Sequence, residues 1–281
     1  MSSNLWRLLK NPGAAIGIAL LITVIVVAAM APVLYPQDPW AMAGRPFLPP
    51  FTDPQFPLGT DMMGRDIAAG LAYGARVSLI VGIVSTACAI VLGVTLGGIA
   101  GYYGGLADDA LMRVTEFFQT IPTFIFALVM VAILSPSILS IILAIGIVSW
   151  PPVARLVRAE FASLRSREFV QAAIALGESD RHIILRQILP NTLSPVLVMG
   201  SLMVASAILT EAAISFLGLG DPNMMSWGYM IGASRTVIRQ AWWMSFFPGL
   251  VIVLVVLMIN LVGEGLNDVL NPRLARKGRA R

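Results

Sequence analysis

Charge is what this sequence has least of. Asp, Glu, Lys and Arg make up 12% of its 281 residues, against about 25% in an ordinary soluble domain. Hydrophobic residues make up 57% and the mean hydropathy is +0.83. A soluble fold cannot hide that much apolar surface, so the composition points to a polytopic membrane protein. Cysteine occurs once, as Cys88, which excludes an internal disulfide and leaves a small packing residue in an apolar run. Histidine also occurs once, as His182, which excludes a His-based metal cluster or catalytic triad within the chain. No Gly-x-x-x-x-Gly-Lys-[Ser/Thr] phosphate loop is present, so the chain is not expected to hydrolyse ATP itself. The net charge of +4 does not point to nucleic acid. The cations sit beside apolar runs, where they set membrane orientation.

The apolar runs come in order. Arg7 and Lys10 precede the run from Ala14 to Leu34. It is too long for the roughly 7–15-residue core of a signal peptide, so it reads as a first membrane helix. Residues 35 to 73 are rich in Pro and Gly and exclude a long helix. They contain Gly59, Thr60, Asp61, Gly64, Arg65 and Asp66. The glycines permit tight turns, and the charged residues can pair with one another or cap a helix. A folded surface loop stapled by a salt bridge is the favoured reading there. Val77 to Gly101 is a second span, with Gly93, Gly97 and Gly101 at four-residue intervals. Such a small-xxx-small stripe lets another helix come close. Tyr102 to Phe118 reads as a short loop with an amphipathic turn. A third span combines Glu116–Thr120 with Ile121–Leu134, and a fourth runs from Ile138 to Trp150, kinked or broken at Pro151-Pro152. Thr192 to Leu217 is a fifth span, residues 218 to 243 a polar loop, and Phe246 to Val262 a sixth span.

If the N-terminus is cytoplasmic, six spans return the C-terminus to the same side. The inner segments then hold Arg7, Lys10, Arg113, Arg155, Arg158, Arg165, Arg167, Arg181, Arg186 and the tail cations Arg273, Arg276, Lys277, Arg279 and Arg281. The outer ones hold only Arg45, Arg65, Arg76, Arg235 and Arg239. That is 14 against 5 of the 19 cations, and the positive-inside rule selects this orientation. It also puts residues 168 to 191 in the cytoplasm.

That stretch, Glu168 to Asn191, is the longest polar interruption in the second half of the chain. Phe169, Ala172, Ala173 and Leu176 can share one helical face. Gly177 permits a sharp turn, Ser179 or Asp180 can cap a second helix, and Pro190 is expected to end it. Ile183, Ile184, Ile188 and Leu189 can pack back on the spans. A short helix offered to a partner's groove and an interfacial connector lying on lipid headgroups both fit this pattern.

Gln171-Ala172-Ala173-x-x-x-Gly177, followed by Leu189-Pro190, resembles the EAA loop of bacterial ABC-importer permeases. Gln171 departs from the usual Glu, and Gln187 stands at the usual isoleucine position, next to Ile188. Three further segments resemble the peptide-importer branch: Pro57–Asp61 with Gly64–Asp66, Gly101–Gly105, and Ser215–Gly220. The resemblance covers nearly the whole chain and is to the second permease subunit of dipeptide/oligopeptide importers, the DppC/OppC type. It implies an all-α membrane protein of the type I ABC importer permease fold, with six transmembrane helices and both termini cytoplasmic, in the bacterial inner membrane. Residues 1–72 would form the N-terminal helix and extracytoplasmic loop, 73–268 the permease domain with its coupling loop at 168–191, and 269–281 a basic tail. Gln171, Ala172, Ala173, Gly177, Leu189 and Pro190 would couple to an ATPase. Gly59, Thr60, Asp61, Gly64, Arg65 and Asp66 would be structural or contact a binding protein. The partners implied are a homologous second permease subunit, two ABC ATPase subunits, an extracytoplasmic solute-binding protein and membrane lipid. The resemblance implies no cofactor in this chain; ATP and Mg would be used by the partners.

Glu211 and Glu264 are the acids near or within spans, where an ionisable group is a candidate proton or ion site. Hydrogen-bonded structural roles are the favoured reading. Cargo alternatives on the same scaffold are nickel, glutathione or an opine-like solute. An ion-coupled secondary transporter is a further alternative, and a membrane-bound enzyme is disfavoured because no acid/base or metal-ligand set converges.

Overall fold

Local chemistry sets where the helices begin. In this computed structural model, which describes residue 8 and residues 10–270, α1 spans Pro12–Leu34. Asn11 caps it by accepting from the amides of Gly13 and Ala14, and Pro12 takes the first turn, where a missing N–H does no harm. The helix lies against the last helix of the bundle and turns most of its other faces outward. Asp66 caps α2, Ile67–Tyr103, by accepting from the Ala68 amide at 2.8 Å. This helix starts ten residues before the expected second span and is about 55 Å long at 1.5 Å per residue. It therefore extends beyond the hydrocarbon core.

The region expected as a loop after the second span is helical. Gly104, at φ +68°, turns the chain out of α2 and into α3, Gly105–Thr120. Asp108, Asp109, Arg113 and Glu116 lie along this amphipathic helix, and Asp108 receives a two-pronged hydrogen bond from Arg158. α4, Thr123–Leu134, follows an 85° bend at Ile121-Pro122. The bend arises where Pro122 forces its predecessor out of the helical region. The expected third span is thus a sharply bent pair rather than a straight helix. Among the described residues five helices are long and apolar enough to cross a membrane, six if this pair counts as one span.

α5, Ile138–Arg165, contains Pro151 and Pro152 without breaking. Tandem prolines remove the helix bonds to the carbonyls of Ile147 and Val148, but their fixed φ is itself helical. α6 is Glu168–Ala175. The chain then runs from a single turn, Asp180–His182, through a π-helical stretch, Ile183–Ile188, directly into α7, Leu189–Ile214, and a second π-helical stretch, Ser215–Leu219. Pro190 therefore does not end the second run, contrary to expectation. It occupies the first turn of α7, where proline is tolerated. The expected outer polar loop likewise contains a helix, α8, Trp227–Ser234, which folds into the bundle with Trp227 fully buried. α9, Trp243–Leu270, is the last helix among the described residues. Arg7 and the tail cations Arg273, Arg276, Lys277, Arg279 and Arg281 lie outside the described residues. Among the described residues no strand forms beyond one isolated bridge between Thr60 and Asp66.

The bundle is built on the contact of α2 with α5. A Cβ at Gly97 would overlap the Ala154 carbonyl oxygen, and one at Gly101 would overlap that of Arg158. Gly93 meets Val153 and the Trp150 carbonyl in the same way. The four-residue glycine repeat is the groove into which α5 fits backbone to backbone. α7 and α9 pack on the remaining faces around Val81, Ile141, Ile145, Ile208, Val255 and Trp227.

Gly97→Leu is predicted to destabilise the purified protein by at least about 1–3 kcal/mol, the range for overpacking, because the obstacle is backbone that cannot step aside. Gly249→Ala, where a Cβ meets nothing within 4 Å, should not lower the melting temperature, since alanine is the better helix former there.

Candidate functional site

The segment joining α5 to α7 has an anchored side and a free side. Helical geometry puts Val170 and Ala173 on one flank of α6, and both are buried, at 0% and 4% exposure. With Ile183 and Ile188, also buried, they join Tyr102 of α2, Val153, Val157 and Phe161 of α5 and Val196 of α7 in one apolar cluster. Ile184 and Leu189 border it, so the expected packing of this apolar set against the spans is present. The other flank carries Phe169, Ala172 and Leu176, spaced three and four apart and all exposed; Leu176 is 82% exposed. The expected four-residue face is therefore split. Ala173 lies a rotation of about 100° from Ala172, enough to turn it into the core.

Gly177 ends α6 in a Schellman motif. Its φ is +78°, its amide donates to the Ile174 carbonyl and that of Glu178 donates to Ala173, both bonds near 3 Å. A side chain there would meet nothing within 4 Å. The glycine is thus required by backbone conformation, and the surface around it is open.

Polar staples hold the segment together. Gln171 Nε2 donates to the Arg165 carbonyl at 2.8 Å, closing the junction of α5 and α6. A glutamate has no N–H to make that bond. Gln187 Nε2 donates to Glu178 Oε2 at 2.7 Å across the turn, and Asn191 beside Pro190 donates back to the Gln187 carbonyl at 2.6 Å. The Tyr102 hydroxyl donates to Asp180 Oδ1 at 2.7 Å, while the Arg165 guanidinium lies 5.3 Å from the Tyr102 ring. These bonds tie the end of α2 directly to the segment. Sequence reasoning missed Tyr102 and Asp180 as partners because 78 residues separate them.

The loop preceding α2 is folded on itself and packed against the start of α9. Thr60 is fully buried; its hydroxyl accepts from the Leu48 amide at 2.9 Å and its carbonyl accepts from Trp243 Nε1 at 3.1 Å. Asp61 Oδ1 accepts from the amides of Met63 and Arg65, and its ion pair with Arg65 is long, at 3.9 Å. Gly59 and Gly64 both have positive φ and abut the carbonyls of Leu48 and Gly44. Burial pushes the Asp66 carboxyl upward, opposed by the amides of Ala68 and Ala69. The expected stapled surface loop is present, but backbone and capping bonds hold it more than the salt bridge does. Arg65 instead lies over the Trp40 ring, 4.6 Å from its centre.

Glu211, on α7, is 1% exposed. Its carboxylate accepts from Ser226 at 2.7 Å, Ser215 at 2.8 Å and Ser78 at 3.3 Å. Ser78 also accepts from the Trp227 amide, and Ser226 caps α8. One carboxylate thereby gathers α2, α7, the turn after it and α8. Glu264 is exposed on α9. Among the described residues no group of three or more His, Cys, Asp or Glu could hold a metal ion.

The described residues thus form a helical bundle with a packed, outwardly open segment between two of its long helices. Its fold is similar to that of the MetNI methionine ABC transporter in inward-facing conformations, at a TM-score of 0.58 and 18% identity over 71% of this chain and 96% of that one. Residues 93–276 match the family described as binding-protein-dependent transport system inner membrane component, and residues 2–53 match the N-terminal TM domain of oligopeptide transport permease C. The chain is 40% identical over 269 residues to the dipeptide transport system permease protein DppC of Alkalihalophilus pseudofirmus, covering 95% of this chain and 88% of that protein. It is 38% identical to the di/tripeptide transport system permease protein DppC of Pseudomonas aeruginosa, covering 94% and 89%. The chain belongs to the binding-protein-dependent transport system inner membrane component family.

Glu211→Leu would leave three hydroxyls without their acceptor and is predicted to lower stability by more than about 2 kcal/mol. Glu211→Gln keeps an acceptor oxygen and should lose distinctly less. Thermal unfolding of both variants in detergent gives the ranking.

Proposed function

We propose that this chain is the permease subunit of an ATP-driven importer that takes di- or oligopeptides from an extracytoplasmic binding protein. Six crossings put both termini in the cytoplasm, a topology that the cation distribution supports. A homologous permease subunit completes the pathway, and two ATPase subunits bind below it, where ATP and Mg are used. The segment 168–191 is this chain's contact with one ATPase.

One observation carries the coupling role: a segment bolted to the bundle by buried Val170, Ala173, Ile183 and Ile188 keeps Phe169, Ala172 and Leu176 exposed. Exposed apolar residues at helical spacing beside an alanine suit a groove on a protein partner. Tight anchoring suits force transmission, since a partner can bias this chain only through contacts that differ between its states. The peptide cargo is supported by the dipeptide and di/tripeptide permeases to which the chain is similar along most of its length.

Leu176→Asp places a charge on the exposed flank with no internal contact to lose. Gly177→Asp adds a charge and strains the positive φ. Both are predicted to reduce co-purification of the ATPase subunits and uptake at least roughly tenfold, the scale of losing one central interface anchor, while membrane insertion is unchanged. Co-purification and uptake at the unmodified level in both variants would refute the docking role.

A further inference from the structure

A cavity of about 440 Å³ opens between α2, α3, α4, α5 and α7, within the roughly 300–1,000 Å³ of small-ligand sites. Its wall carries no Asp, Glu, Lys, Arg or His. The polar groups on it are the hydroxyls of Ser85, Thr86, Thr123, Ser149, Ser206 and Thr210 and the carboxamide of Gln119. Phenylalanine, methionine, branched aliphatic, alanine and proline side chains fill the remainder.

Several of these polar groups have capacity to spare. Ser85 donates to the Val81 carbonyl, and Thr210 donates to that of Ser206 at 2.8 Å, so both hydroxyl oxygens remain acceptors. Thr86 is 4% exposed and its hydroxyl has no hydrogen-bond partner among the described residues. Buried polar groups are nearly always paired, and an orphan on a cavity wall calls for an explanation. Pro151 and Pro152 also line the cavity. Having no N–H, they release the Ile147 and Val148 carbonyls from the helix ladder. The wall therefore presents hydroxyl groups, which donate and accept, and one carboxamide, and it lacks formal charge.

We infer that this cavity is the chain's share of a cargo chamber that holds a peptide by its main-chain amides and is blind to the sign of its side chains. An extended peptide presents alternating N–H donors and carbonyl acceptors, which neutral hydroxyls and a carboxamide satisfy in either direction. A fixed charge on such a wall would favour cargo of one sign and repel the other, because a partly dry site screens poorly. A neutral wall avoids that discrimination. The inference rests on the peptide reading proposed above.

Ser206 is the most direct place to test it, being exposed on the cavity wall of α7. The full transport system is reconstituted in proteoliposomes, and uptake of alanyl-glutamate and alanyl-lysine is measured with the same binding protein throughout. Ser206→Asp should shift the ratio of the two uptake rates toward the lysine peptide by roughly tenfold, the scale of one close charge pair. Ser206→Lys should shift it the opposite way, and Ser206→Asn should leave it unchanged. Thr210→Asp and Thr210→Lys, about one turn along α7, carry the same expectation. A reversal of sign between two variants at one position cannot arise from poor folding. Charged variants that import both peptides at the unmodified ratio would overturn the chamber. An unmodified system that imports neither peptide would overturn the peptide reading and the chamber with it.

Discussion

The approach of α2 to α5 through Gly93, Gly97 and Gly101 sets where the other elements can go. No side chain stands between the two backbones there, so the helices meet as one unit. At one end of that unit Tyr102 reaches Asp180 and joins the cluster containing Val170 and Ile183. Toward the other end Ser78 joins the Glu211 network, which fixes α7 and α8. A close backbone contact thus links the segment proposed to meet an ATPase with the wall proposed to meet cargo. Ser85 and Thr86 lie on α2 between those ends, and Ser149 lies on α5.

Within this frame the segment between α5 and α7 has the mechanical properties that coupling needs. Its glycine turn is a Schellman cap rather than a loose hinge, and its glutamines close the ends with side-chain bonds. Gln171 and Gln187 are the two positions at which the chain departs from the usual EAA pattern. Both make bonds that the usual Glu and Ile cannot donate. The departures therefore keep the segment rigid while leaving its outer flank free.

Features that repeat along the chain were legible in the sequence. The glycine stripe and the turn at Gly177 each have a local signature and are found where it places them, and each long apolar run lies in a helix, although the helix bounds differ and the third run is bent. Features decided by tertiary packing were not. Charged residues on α3 looked like a loop because a short amphipathic helix and a polar connector share one composition. Trp227 sits in a polar-looking stretch, yet Glu211 and Ser78 hold α8 in the bundle. Pro190 looked like a stop because the sequence alone does not show that the helix is already π-wound before it. Ala172 and Ala173 look alike, and only the rotation of α6 against α2 and α5 separates the exposed one from the buried one. The serine donors to Glu211 lie 4, 15 and 133 residues away, so only the nearest was within reach of a periodicity argument.

The central claim is that the segment 168–191 moves as one body with α2 and α5. It is tested most directly by the distance between spin labels at Leu176 and at Leu139, the exposed residue near the far end of α5, followed through ATP binding and hydrolysis in the assembled transporter. A single distance that stays constant while transport turns over is the predicted result. A distance distribution that shifts or splits on ATP binding would show the segment swinging on its own turn, and would contradict it.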